Sequence, residues 1–145
     1  MANLATSWPF WAVLSAIFAA ATAILAKLGV SLVPSDVATL IRTAIVTVIV
    51  ATLVAVTGQA KAIPEITPRA WVFLALSAVA TGASWLCYFR ALKLGPASQV
   101  APIDKLSVVF IAILGVAFLG EKLSAMEWTG IGFIAFGAAL VAFAA

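Results

Sequence analysis

Asp104 and Lys105 stand side by side in a stretch, about 97–119, that is otherwise almost wholly apolar. Pro102 lies just before them, and Ser98 and Gln99 precede it, all within about two helical turns. A carboxylate, an ammonium, a hydroxyl and an amide gathered about a proline can meet a polar solute, pair with other charges, or pass a proton. A second set lies upstream. Ser77, Thr81, Ser84 and Tyr88 recur at helical spacing and share one face, with Trp85 flanking it. Hydroxyls backed by aromatics suit a cavity for a molecule part polar and part apolar. The same hydroxyls equally serve as hydrogen bonds between packed helices. Arg42, inside another apolar run, completes the set of charges at depth.

The rest of the composition narrows what this chemistry can be. The chain has 145 residues, 66% hydrophobic and only 9% charged, against roughly 45–50% and roughly 25% in an average soluble domain. So few charges cannot cover a soluble surface of this size, and a polytopic membrane protein remains. The net charge of +3 rests on eight scattered Lys and Arg, which make neither a run nor a stripe, so a nucleic-acid partner is not expected. Histidine is absent and there is one cysteine. That removes the commonest metal ligand and proton shuttle and any intrachain disulfide. With no paired carboxylates at depth, neither an enzyme, a metal site nor a cofactor is expected. Cys87 reads as an inert buried thiol.

A spanning helix needs about 20 mainly apolar residues. Five stretches qualify, at about 10–27, 37–57, 70–89, 97–119 and 125–143. The expected fold is all-α: one bundle of five transmembrane helices, embedded in the cell's inner (plasma) membrane. Met1-Ala2-Asn3 supplies no basic region ahead of the first stretch, which reads as a span and not a cleaved signal. The joints carry helix punctuation. Ser124 with Glu127 fits a capping box. Thr67-Pro68 fits an N-cap followed by proline at the first helical position. Val33-Pro34-Ser35-Asp36 and Leu94-Gly95-Pro96 read as turns. Trp8, Trp11, Trp71 and Trp128 fall near span ends, as interfacial tryptophans do. Leu14-Ser15-Ala16 leading to Lys27-Leu28-Gly29 is echoed by Leu76-Ser77-Ala78 leading to Lys93-Leu94-Gly95. Duplication or merely similar interfaces account for that echo.

Depth gives the charges their weight. Asp104 is seven residues into its span, about 10 Å at 1.5 Å per residue, and within roughly 5 Å of the midplane of a core about 30 Å thick. A charge there costs about 2.5–3.5 kcal/mol. Helical neighbours point about 100° apart, so Asp104 and Lys105 are expected to find partners elsewhere. Arg42 or Arg90 is the expected mate for Asp104, and Arg42 can alternatively snorkel to the headgroups. Pro102 removes a backbone donor and frees the carbonyl of Ser98. Glu121 lies at the boundary of the fourth span, a place for capping or a loop ion pair. Gly130 and Gly137 in the last span, among several alanines, allow another helix to approach closely. That helix belongs either to a second copy or to the same chain.

Odd span number puts the termini on opposite sides. Call the N-terminal side A. Its loops hold Lys61, Arg69 and Lys122, while side B holds Lys27, Arg90 and Lys93. Orientation follows the Lys/Arg excess, and this balance favours neither direction. The chain then either inserts one way on a small bias or inserts both ways and pairs with its inverted copy.

The stretch ATGASWLCYFRALKLGPASQVAPIDKLSVVFIAILGVAFLGEKLSAMEWTGIGFIAFG, residues 80–137, resembles the EamA family of the drug/metabolite transporter superfamily. YFRALKLG, ASQVAPIDKLSVV and LGEKLS followed by a glycine-bearing helix carry the resemblance, and LSAIFAAATAILAKLG and LIRTAIV extend it. Most members of that superfamily have two five-span repeats of inverted topology, and this chain resembles the single-repeat type. The resemblance implies a transporter, often an exporter, of small metabolites or drug-like molecules. A single repeat implies a dimer, with itself or with a paralogue. On that reading Ser77, Thr81, Ser84, Trp85, Tyr88, Ser98, Gln99, Asp104 and Lys105 line the path or couple transport. Arg42, Arg90, Pro102 and Glu121 are structural or ion-pairing, and Gly130 and Gly137 meet the second subunit. The alternatives are a non-transporting partner subunit and a passive channel.

Overall fold

A computed structural model describes residues 7–143. Among them there is helix and turn but no strand. The elements are α1 (Trp8–Leu32), α2 (Ser35–Val56), a 3-10 segment (Gln59–Glu65), α3 (Pro68–Leu94), α4 (Ala97–Asp104), α5 (Ser107–Leu114), a π-helical turn (Gly115–Leu119) and α6 (Ala125–Phe143). Five spans result: α1, α2, α3, the composite Ala97–Leu119, and α6. The first and third run past the expected bounds on both sides, to 25 and 27 residues. Apolar count alone underestimates such helices, because Arg90 and Lys93 interrupt the apolar run without breaking the backbone ladder.

The punctuation operates as its chemistry dictates. Pro68 opens α3, and the Ala70 N–H donates to Thr67 Oγ at 3.3 Å. At α6, the Ser124 N–H and hydroxyl both donate to Glu127 Oε2, at 2.6 and 2.7 Å, and the Glu127 N–H donates back to Ser124 Oγ at 3.3 Å. Pro34 and Pro96 hold extended backbone just ahead of α2 and α4, since proline suits a helix entry and not its interior.

The chain forms two compact units. Ile24–Lys93 holds the end of α1, all of α2, α3 up to Lys93, and the 3-10 segment packed on α2. Val30, Phe89 and Leu92 are buried there, with Ser35 and Thr39. The two hydroxyls enter burial already satisfied or paired: Thr39 Oγ donates to the Ser35 carbonyl at 2.9 Å, and Ser35 Oγ donates to Asp36 at 3.1 Å. Helix ends in this unit are tied by exchanged lysines. Lys27 of α1 donates to the Leu92 carbonyl at 2.6 Å, and Lys93 of α3 donates to the Val33 carbonyl at 2.7 Å. Each ammonium meets carbonyls that the last turn leaves without amide partners, at the negative end of the helix dipole. The echoed lysines thus share one local task.

In the other unit, Met1–Ala23 with Leu94–Ala145, α4 and α5 pack on α6. Ala112, Gly115 and Ala138 are buried, and small side chains there let backbones approach. Most large apolar residues of every span are exposed, which suits lipid and leaves room for a further chain.

Candidate functional site

The fourth span is broken where its polar residues gather. Pro102 has no N–H for the Ser98 carbonyl, and α4 ends two residues later at Asp104. Through the break the ladder tightens: the Lys105, Leu106, Val108 and Val109 amides donate three residues back, at 3.0–3.1 Å. Such 3-10 tightening inside a span marks a hinge or a strained stretch. Beyond α5 the helix widens, with the Gly120 and Glu121 amides both donating to Gly115. Gly120 turns the chain in the left-handed region at φ 69°.

Lys105 Nζ lies 3.4 Å from Asp104 Oδ2, a pair of adjacent residues. This corrects the expectation that helical geometry drives the two apart. The backbone at Lys105 is still right-handed, its amide shared between the Ala101 and Pro102 carbonyls, so the pair forms because the lysine stem is long enough to fold back. The side chains remain 38% (Asp104) and 57% (Lys105) exposed. Arg90 lies 3.8 Å from Asp36 Oδ2 across α3 and α2, the nearest carboxylate along its own unit's helix ends.

Arg42 lies against aromatic rings. Its guanidinium carbon sits 4.3 Å from the Trp85 ring centre and 5.6 Å from that of Phe89. Trp85 is one turn further from the end of α3 than Phe89, so the cation is drawn inward onto the deeper and larger ring. Trp rings attract cations most strongly.

Ser77, Thr81 and Ser84 are exposed on α3, and Trp85 and Tyr88 are half-buried. Thr39, Thr43, Thr52, Thr57 and Thr129 tie their hydroxyls back to carbonyls four residues earlier. The α3 hydroxyls at 77, 81 and 84 are not among those tied back. Tyr88 meets Phe89 edge-on, ring centres 6.4 Å apart. Cys87 is exposed, a correction to its expected burial: it lies about 200° around α3 from the buried Phe89. In the other unit, Ser98 is exposed and Gln99 half-buried on α4. The Glu121 carboxylate folds over Gly115, where a Cβ would come within 2.5 Å of Oε2. Gly130 and Gly137 are exposed, and a Cβ on either would touch nothing. The covered side of α6 runs instead through Ile131, Ala135, Ala138 and Ala142. Among the described residues no cluster of metal-binding side chains occurs.

Sequence reasoning placed Trp85 and Arg42 in different roles and did not join them. The signal available was their common depth from side B, about seven residues into α2 and nine from the end of α3.

Residues 6–143 match the model of the EamA-like transporter family. A Sinorhizobium sp protein named "Uncharacterized transporter in cobO 3'region" is 60% identical over 139 residues, covering 96% of this chain and 99% of that one. No solved structure matches.

Proposed function

Because the chain belongs to the EamA-like transporter family, we propose that it is a secondary transporter exporting small metabolites or drug-like molecules across the inner membrane. Two five-span chains, inserted in opposite directions, form the working unit. The observation that carries this reading is the Asp104–Lys105 pair at the break of the fourth span, with both side chains partly uncovered. Charge facing hydrocarbon at that depth costs about 2.5–3.5 kcal/mol. Irregular backbone at depth is tolerated where it is covered by protein or lines a water-filled cavity. A second chain and a polar path between the two supply both conditions.

Two further features support the pair. Lys and Arg are balanced across the two sides of the spans, so opposite insertions cost about the same. Gly130 and Gly137 leave an open backbone surface on α6 away from its covered side. Opposed copies recreate the inverted repeat on which alternating access rests. Asp104 and Lys105 of the two copies then lie near the midplane, and Ser98 and Gln99 line the path on α4. Asp104 is the coupling acid.

The test is reconstitution of the purified chain alone in liposomes, with solute flux followed under an imposed proton gradient. Gradient-dependent flux, lost in Asp104→Asn, is expected. Flux only after adding a paralogue assigns a partner-subunit role, and flux indifferent to any second ion assigns a passive channel. Reporters active only inside or only outside the cell, fused to the C-terminus, test the arrangement: both should give signal, and signal from one alone removes the antiparallel dimer.

A further inference from the structure

The cations inside the spans or at their side-B ends nearly all meet an oxygen. Lys27 and Lys93 hold the Leu92 and Val33 carbonyls, Arg90 lies by Asp36, and Lys105 by Asp104. Arg42 is different: its partners are the rings of Trp85 and Phe89. Arg69 also stands over a ring, Phe73 at 5.8 Å, but at the second residue of α3, where water reaches it. Arg42 is about 10 Å into α2 and half-buried.

We infer that Arg42, held over the Trp85 ring, is an oxyanion site that takes the carboxylate or phosphate of a small molecule or of a lipid headgroup. A guanidinium placed over a ring keeps its in-plane N–H edge available. That edge matches the two oxygens of a carboxylate or phosphate in a bidentate pair. The contact fixes the group and lowers the entropy lost when an anion binds. The two rings together offset about 1–4 kcal/mol of a desolvated cation, against the roughly 2.5–3.5 kcal/mol such a charge costs at depth. An anion arriving at this edge adds a charged partner that rings do not supply. Thr81, one turn deeper than Trp85 on α3, and Ser84 beside it present hydroxyls not tied back to their own helix, which suits the polar remainder of such a molecule. Of the two carboxylates in the same unit, Glu65 lies on the 3-10 segment beyond the far end of α2, and Asp36 is already beside Arg90.

For a small molecule, the inference rests on the transport reading and names a substrate class for it. Binding and flux are therefore measured separately. The full chain in neutral detergent is heated with sodium benzoate, inorganic phosphate, short-chain phosphatidylglycerol, sodium chloride at matched ionic strength, or tetraethylammonium. Benzoate or phosphate should raise the unfolding temperature saturably, with chloride and tetraethylammonium inert. Arg42→Gln should abolish the effect, and Arg42→Lys, which keeps charge but loses the fork, should weaken apparent affinity at least ten-fold. An Arg42-dependent rise with phosphatidylglycerol alone assigns the site to lipid. Equal anion responses in wild type, Arg42→Gln and Arg42→Lys overturn the inference, as does stabilisation by the organic cation alone. Arg42-dependent binding without flux in liposomes leaves the site standing and removes the transporter; flux with no Arg42-dependent binding does the reverse.

Discussion

Removing the ammonium of Lys105 isolates what the pair at the break contributes. At 3.4 Å from Asp104 Oδ2, the attraction is about 1 kcal/mol in water and about 5 kcal/mol at an effective dielectric of 20. Exposure of 57% and 38% sets the value toward the lower figure. Lys105→Gln also leaves a lone carboxylate near the midplane, worth about 2.5–3.5 kcal/mol in contact with lipid. A loss of about 3.5–4.5 kcal/mol follows, roughly a 400- to 2,000-fold shift in the folding equilibrium. The double variant Asp104→Asn with Lys105→Gln removes both charges, and should recover to within about 1 kcal/mol of wild type, since a missing pair costs far less than a broken one. Unfolding in mixed micelles, followed by circular dichroism, measures all three, and proteoliposome flux is read on the same preparations. The double variant should be folded and inactive. If Lys105→Gln matches wild type in stability, Asp104 does not lie at the depth argued here. If the double variant transports normally, the pair only braces the helix break.

Three other outcomes follow from the geometry. Lys27→Met and Lys93→Met should each cost about 1–2 kcal/mol, because each leaves helix-end carbonyls without a charged donor, and a double-mutant cycle in the same unfolding assay should show the two coupled. Ser124→Ala should cost about 1 kcal/mol by removing half of the capping box, with flux unchanged. Gly120→Ala forces a side chain into the left-handed region at φ 69°, so it should lower stability by about 1–2 kcal/mol and increase amide exchange at Glu121.

Much of this architecture is legible along the chain. Thr67 before Pro68, and Ser124 three residues before Glu127, act within a single turn, so their hydrogen bonds follow from residue type and spacing alone. The break at Asp104 follows from Pro102 in the same way. The local rule that adjacent residues diverge failed at Asp104 and Lys105, because it describes where side chains leave the helix and not how far a long lysine stem can fold back. Cys87 failed for another reason: in a span surrounded by lipid, residue type along the helix does not reveal which side the neighbouring helices cover.

Sequence by itself determined that this chain has five helices long and apolar enough to span a membrane, and where the turns between them fall. Those properties depend on transfer energies and backbone chemistry summed over a few turns. Only the tertiary structure decided who meets whom: Arg42 with Trp85, Arg90 with Asp36, and the lysines of α1 and α3 with each other's helix ends. A lysine or arginine reaches several acceptors from one backbone position, and packing between helices selects among them.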